Sequence, residues 1–222
     1  MTALPALSLL ETRVLGVLVE KQHTVPDTYP LTLNALVSGC NQKTSRDPVL
    51  DASEAEVQAT LDRLKTLDIV VESSGGRVMR YAHNVGRVLG IPAQAVALLT
   101  VIMLRGPQTV GELRIHSERL HKFSDISSVE GFLDELAARA DGALVVELAR
   151  APGARETRWA HLLSGPPTQA TAPVDESVAT GDRVAVGELV ALRTAVTRLE
   201  DEVARLRGTV DRLLRELGLA AE

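Results

Sequence analysis

The chain has 222 residues, of which 45% are hydrophobic, 24% are charged and only 2% are aromatic, and its formal net charge is −5. This composition is sufficient for one or two compact domains with aliphatic cores. It disfavours a platform for single-stranded nucleic acid, which needs several stacking aromatic side chains, and it argues against a strongly basic nucleic-acid binder.

The single cysteine and the N-terminal sequence indicate the compartment. Cys40 has no second cysteine with which to pair, which fits a reducing environment. The N-terminus lacks a basic stretch followed by an apolar core. The longest apolar run, residues 93–104, is shorter than the roughly 20 residues that span a bilayer. We therefore expect a cytoplasmic protein without a membrane partner.

The N-terminal segment predicts an amphipathic helix. Apolar residues recur at helical spacing from Leu7 to Leu18, and the helix is expected to end near Gln22, because Pro26 and Pro30 break the pattern. Its charged residues lie elsewhere on the helical wheel, namely Glu11, Arg13 and Glu20.

A polar loop follows a second short helix, which we expect over residues 31–40. The loop spans residues 41–48 and reads Asn-Gln-Lys-Thr-Ser-Arg-Asp-Pro. We hypothesise that hydrogen bonds within this loop fix the start of the third helix, and that they involve Asn41, Lys43, Arg46 and Asp47.

The third predicted helix begins with a capping box, in which Ser53 and Glu56 satisfy orphan backbone donors. Asp68 follows this helix at a turn where glycine is common, and aspartate tolerates the left-handed conformation. The periodicity then becomes extended. Residues 69–71 and 78–81 flank a Ser-Ser-Gly-Gly sequence, which predicts a β-hairpin because glycine supplies the positive φ of the turn.

The same order of elements repeats in the second half. Residues 93–104 are apolar on nearly all sides and predict a buried helix. Thr109 begins another helix, and Ser127 with Glu130 predicts a second capping box for the third.

A second hairpin completes this repeat, with strands expected over residues 144–148 and 157–162. Tyr81 and Trp159 lie in the second strands of the two hairpins, and we expect them to anchor the hairpins to the core. Three helices followed by a two-stranded ribbon, twice, is typical of tandem winged helices, because neither part buries enough apolar surface alone. A generic α+β domain is the alternative.

The predicted fold class is therefore α+β, mainly α with small β-hairpins, as tandem winged-helix domains plus a C-terminal coiled-coil helix. The first winged-helix domain is expected over residues 1–85 and the second over 86–164. Residues 165–181 predict a flexible linker, because they are rich in proline and small polar residues and lack a periodic apolar pattern. The coiled-coil helix is expected over 182–219.

A heptad repeat in the tail predicts a parallel homodimer. With Leu189 at position a, the next three a positions are the β-branched Val196, Val203 and Val210, and the d positions are leucines, which favours two parallel strands. In a parallel pair Glu188 faces Arg193 of the partner subunit, whereas antiparallel strands bring glutamates together. The alternatives are a helix folded onto its own body and a coiled coil with another protein. The expected seam consists of Leu189, Leu192, Val196, Leu199, Val203, Leu206, Val210, Leu213 and Leu217.

The sequence carries no signature of a catalytic or cofactor site. His116 and His121 are five residues apart, too far round a helix to share one face as metal ligands, and the other histidines are isolated. The glycines form no phosphate loop or dinucleotide fingerprint, and no nucleophile signature is present. We therefore expect no enzymatic activity and no cofactor.

Five segments of the chain have distinctive sequences, namely LETRVLGVLVEK at 10–21, YPLTLNAL at 29–36, CNQKTSRDPV at 40–49, RGPQTVGELR at 105–114 and PGARETRW at 152–159. These segments resemble the YceH family of bacterial proteins. The resemblance implies a tandem winged-helix fold but no settled activity, since the family is described as being of unknown function.

The fold favours a dimeric DNA-binding regulator, whose third helix enters the major groove and whose hairpin wing contacts the backbone of double-stranded DNA. Against this, the third helices begin with acidic residues, which repel phosphate. The alternative is a scaffold whose third helix or wing packs on another protein. Candidate contacts to DNA or a partner protein are Lys43, Arg46, Arg77, Arg80, Arg150, Arg155 and Arg158.

Overall fold

The computed structural model describes residues 4–74, 78–150 and 152–167, which all lie in one compact unit spanning residues 1–167. Helices and two small antiparallel sheets make this unit an α+β fold, as predicted. The predicted linker beyond residue 167 and the predicted coiled-coil helix lie outside the described residues, as does Arg77.

Three helices and a hairpin follow one another twice, with one additional short helix between the two sets. The first set comprises α1 (Leu9–Thr24), a short 3-10 helix (Pro26–Thr28), α2 (Leu33–Cys40), α3 (Glu54–Thr66), β1 (Val70–Ser73) and β2 (Arg80–His83). After α4 (Val85–Leu89), the second set comprises α5 (Ala93–Arg105), α6 (Val110–His116), α7 (Ile126–Ala137), β3 (Val145–Leu148) and β4 (Arg158–His161).

Capping boxes close the starts of α3 and α6. The predicted pair Ser53 and Glu56 is confirmed at α3, where each side chain accepts the other residue's backbone amide. Thr109 and Glu112 make the same exchange at α6. After α3, Asp68 adopts φ +57°, the left-handed turn expected from its position.

The box predicted at Ser127 and Glu130 is wrong. Helix α7 already begins at Ile126, and the Asp125 carboxylate accepts the backbone amide of Ser128 at 2.7 Å. Because a carboxylate is a stronger acceptor than a hydroxyl, the aspartate takes the cap position and the serine lies inside the first turn.

Both predicted hairpins are confirmed, and their strands share a sequence. Val-Val-Glu begins β1 and β3, and Arg-aromatic-Ala-His forms β2 and β4. Tyr81 exchanges backbone hydrogen bonds of 2.8 and 3.0 Å with Leu31, and Trp159 exchanges bonds of 2.7 and 3.1 Å with Gln108. Both aromatic residues are buried, so each hairpin is anchored to its core as expected.

Helix α1 is buried on most of its circumference, and the prediction of an amphipathic helix with charges away from the core is wrong for two residues. Glu11 is 2% exposed and Arg13 is 0% exposed. The reason is that α1 packs against α2, α3 and α5, so apolar neighbours surround it. Gly16 permits the close approach of α5, because a Cβ there would lie 2.7 Å from Cδ2 of Leu104. The two sets of helices therefore share one continuous core.

Helix α4 was not expected from the sequence. It has only five residues and ends at Gly90, which adopts φ +62°. A helix this short shows no apolar periodicity, so its signal is confined to the glycine at its end.

None of the helices in the described parts of the chain combines the length and hydropathy needed to cross a membrane.

His83 and His161 occupy the same position in the two hairpins, and both make the fold sensitive to acid. Burial lowers the pKa of His83 to about 4 and also lowers the pKa of His161, because the imidazolium is poorly solvated there. In the unfolded chain a histidine protonates near pH 6.5. The stability of the fold with neutral histidines is therefore complete above that pH and is lost as the pH falls towards 4.

We expect a lower melting temperature at pH 5 than at pH 7, and a smaller difference between these two temperatures in His83→Gln. Thermal unfolding followed by circular dichroism measures this, and an unchanged difference in the variant would contradict it.

Candidate interaction surfaces

The polar loop over residues 41–48 folds around a buried guanidinium. Arg46 is 6% exposed and forms a bidentate ion pair with Glu20 of α1, with N–O distances of 2.6 and 3.1 Å. Its Nε donates to the carbonyl of Gly39 at 3.2 Å. Burial alone would raise the pKa of Glu20, but the hydrogen bond and charge of Arg46 outweigh burial and lower it.

This geometry corrects the assignment of Arg46 as a surface contact. Its guanidinium is occupied by a carboxylate and a backbone carbonyl inside the protein, so it cannot reach a phosphate or a partner. Lys43, from the same loop, is exposed and remains a candidate contact.

The loop also sets the start of α3 and the position of the second repeat. The side chain of Asn41 exchanges two hydrogen bonds of 2.8 Å with the backbone of Ala52, two residues before α3. The backbone amide of Asp47 donates to the Leu104 carbonyl at 2.9 Å, at the end of α5. The hypothesis that this loop fixes the third helix is therefore supported for Asn41, and the loop connects the two repeats as well.

Arg13 holds the other side of this loop. Its guanidinium donates to the carbonyl of Cys40, the last residue of α2, at 3.0 Å, and to the carbonyl of Pro48 at 2.6 Å. Burial and the nearby charge of Arg46 lower the pKa of Arg13. A cation at the C-terminal end of α2 is favourable for the helix dipole. Arg13 is thus a structural residue of the core.

The hairpin arginines Arg80 and Arg158 have equivalent contacts. Each donates to a proline carbonyl just before the second helix of its repeat, Arg80 to Pro30 and Arg158 to Pro107, both at 2.8 Å. Arg158 also forms an ion pair with Glu112 at 3.0 Å, in which both side chains are partly exposed. These two predicted contact residues are at the surface but already bind neighbouring backbone.

The two cations of α3 are engaged in ion pairs. Arg63 lies 3.1 Å from the buried carboxylate of Glu11, and Lys65 pairs with Glu72 and Asp62. The hydrogen bonds to these two carboxylates raise the pKa of Lys65. The start of α3 carries exposed acidic residues, Glu54 and Glu56.

The charged residues on the exposed face of α7 are all acidic. The helix contains no lysine or arginine, and its exposed charged residues are Glu130, Asp134 and Glu135. The next cation, Arg139, donates to the carbonyl of Leu89 at 2.7 Å at the end of α4. Within the described residues, Glu54 and Glu56 at the start of α3 and the three carboxylates of α7 take part in no ion pair.

A groove of about 420 Å³ lies between the start of α7 and the second hairpin. Ile126 and Glu130 line its helix side, and Arg150 and Arg155 line its hairpin side. Two of the predicted contact residues are thus brought together at one site. Within the described ranges, neither arginine takes part in an ion pair.

A metal-ligand cluster is not found among the residues that the structure describes: no three of their histidine, cysteine, aspartate and glutamate side chains converge.

Comparison with known proteins places the sequence in a family. Residues 7–154 match the family described as a protein of unknown function, DUF480. The chain belongs to this family.

Three similar relatives are each called UPF0502 protein. One from Burkholderia orbicola is 59% identical over 217 residues, covering 98% of this chain and 92% of the relative. One from Dechloromonas aromatica is 62% identical over 203 residues, covering 91% and 93%. One from Burkholderia lata is 61% identical over 218 residues, covering 98% and 92%. The resemblance to the YceH family, which is this family, is confirmed.

Within this DUF480 chain, sequence reasoning missed two exposed aliphatic residues of the second repeat. One lines the groove, and the other lies on α6 four residues after Gly111, which also lines it. Ile126 is 48% exposed at the first position of α7, and Ile115 is 67% exposed on α6. The internal repeat is the signal that could have found them, because the aligned positions of the first repeat are polar.

Proposed function

We propose that each repeat is a winged helix and that the chain binds another protein through its second repeat. The order of three helices and a hairpin supports the fold, as does the isolated bridge from the second hairpin strand to Leu31 or Gln108 in each repeat. In such a fold the second and third helices form a helix-turn-helix and the hairpin is the wing. α3 and α7 are then the recognition helices.

The acidic faces of α3 and α7 favour a protein partner over DNA. A recognition helix in the major groove lies between two rows of phosphates, and uncompensated carboxylates there oppose binding. The cations of α3 are paired with carboxylates, and α7 has none. A protein surface can offer cations to these carboxylates, whereas DNA cannot. The proposal includes no catalytic activity and no cofactor.

DNA binding is the second candidate, and the hairpin arginines favour it. Arg150, Arg155 and Arg158 are exposed on the second hairpin, where a wing contacts phosphates. The groove residues Arg150 and Arg155 have no carboxylate partner within the described part of the chain. Exposed arginines without carboxylate partners are sufficient for a sequence-independent contact to the DNA backbone.

Titration of a labelled random-sequence duplex with the full chain separates these candidates. We expect no saturable binding tighter than about 10⁻⁴ M at about 50 mM salt. Micromolar binding that weakens steeply towards about 200 mM salt would contradict the protein-binding proposal. In that case Arg155→Ala combined with Arg158→Ala should flatten the salt dependence, as expected for lost phosphate contacts.

We further propose that the chain is a parallel homodimer through the heptad seam from Leu189 to Leu217. Sedimentation of the full chain should give a dimer, and Leu199→Asp with Leu206→Asp should give a monomer, because two charges per strand enter the seam. Thr197→Asp with Ala204→Asp is the matched control, since both positions lie outside the seam. A chain ending at Gly181 that still sediments as a dimer would contradict the proposal.

The cytoplasm is the compartment that this proposal assigns to the dimer. Its support is that Cys40, the only cysteine, is buried and unpaired.

A further inference from the structure

The two repeats provide an internal comparison for the surface of α6. Thr32 and Thr109 are the N-caps of α2 and α6, and each follows the residue that bridges to its hairpin. Counting six residues onward gives Ser38 in the first repeat and Ile115 in the second. Both positions are exposed, and Ile115 is 67% exposed. The scaffold accepts a polar residue there, so the aliphatic residue is not required for folding.

The same comparison applies to the start of α7. Val57 and Val129 are the first buried residues of α3 and α7. Counting three residues back gives Glu54 in the first repeat and Ile126 in the second. Ile126 is 48% exposed at the edge of the groove. The second repeat therefore carries two exposed isoleucines where the first carries serine and glutamate.

The two sides of the groove differ in charge. The hairpin side carries two arginines, Arg150 and Arg155, and one glutamate, Glu156. Glu130 lines the α7 side, and the exposed acidic face continues along this helix through Asp134. Ion pairs within the described residues use none of these side chains. Uncompensated charges of both signs therefore flank Ile126. Ile115 lies beyond the groove lining, four residues after Gly111 and thus on the same face of α6 as that lining residue. A polar rim around an apolar contact is the usual arrangement of a protein interface.

We propose that this groove, together with the adjoining face of α6, binds a linear, amphipathic segment of a partner protein. Its aliphatic side chains cover Ile115 and Ile126, while acidic and basic side chains on its two flanks face the hairpin arginines and the α7 carboxylates. Amphipathic segments bind apolar grooves in this way through side chains three or four residues apart. This inference rests on the proposed protein-binding function and adds the chemistry of the partner.

Selection from a library of random dodecapeptides displayed on phage, with the full chain immobilised, tests the inference. We expect enrichment of peptides with aliphatic residues three or four apart and with both acidic and basic residues. Each enriched peptide is then synthesised with a fluorescent label and titrated against Ile115→Ser, Ile126→Glu and the unaltered chain. Each substitution places a residue that the other repeat already carries, so folding is expected to be retained, and circular dichroism checks this. Binding should weaken at least tenfold in each variant.

Val49→Ser is the matched control, because Val49 is a 55% exposed aliphatic residue outside the groove, and it should leave binding unchanged. Failure to enrich any peptide would overturn the inference, as would enriched peptides that bind Ile126→Glu as tightly as the unaltered chain. If duplex DNA binds in the salt titration, the proposed function itself fails. If neither DNA nor peptide binds, only the chemistry assigned to the partner is wrong.

Discussion

Replacing Arg13 with methionine is expected to lower the free energy of unfolding by about 3 kcal/mol. The guanidinium is fully buried and donates to two backbone carbonyls, those of Cys40 and Pro48. Methionine fills most of the volume but leaves both acceptors without this donor, and each buried carbonyl left unpaired costs about 1–3 kcal/mol. Relief of repulsion from Arg46 offsets part of this loss.

Urea denaturation of the full chain followed by circular dichroism measures the Arg13→Met effect. The exposed Arg119 provides a control, and Arg119→Met should change stability by less than about 0.5 kcal/mol. A loss below about 1 kcal/mol for Arg13→Met would show that the loop over residues 41–48 does not depend on these two hydrogen bonds.

Gly39→Ala is expected to destabilise the protein by about 2 kcal/mol, while the same substitution at Gly131 stabilises it by up to about 1 kcal/mol. Both glycines lie in helices. A Cβ at Gly39 would lie 2.5 Å from Cγ1 of Val17, a buried side chain of α1 with little rotamer freedom. A Cβ at Gly131 meets no atom within 4 Å, so only the higher helix propensity of alanine acts there.

The opposite signs of these two substitutions test the close packing of α1 on α2. Melting temperatures of both variants provide the comparison, with retained helix content as the control for folding. Stabilisation by Gly39→Ala would mean that α1 and α2 can separate without cost, which would contradict the packing described above.

Local patterns predicted most of the secondary structure. The capping box of α3, the left-handed Asp68 and the two hairpins depend on residues close together in the sequence, and all three are confirmed. The Ser127 box was wrong because a stronger acceptor, Asp125, lies two residues earlier. The winged-helix arrangement and the coiled coil remain predictions.

Contacts between distant residues could not be predicted in this way. Arg13 is buried because its partners lie 27 and 35 residues further along the chain. Arg46 is buried because Glu20, 26 residues earlier, faces it from α1. A helical wheel assigns charged residues to the solvent side of a helix. It considers one helix alone and so takes no account of a second repeat that packs on that helix.

The candidate site was predicted in part. Arg150 and Arg155 were expected on the second wing, and the structure brings them to one groove. Ile126 was missed because apolar residues at helical spacing are read as core, whereas this residue is the exposed first position of α7. An alignment of the two repeats reveals it, since Glu54 occupies the same position in α3.

Site-specific photo-crosslinking in cells tests the central claim, that the second repeat binds a protein through this groove. A photoreactive phenylalanine analogue replaces Ser127, an exposed residue next to Ile126, and in a control chain it replaces Val49. We predict covalent adducts from Ser127 that resist nuclease, are removed by protease and are absent from the Val49 control. Adducts that nuclease removes, or equal adducts from both positions, would contradict the claim.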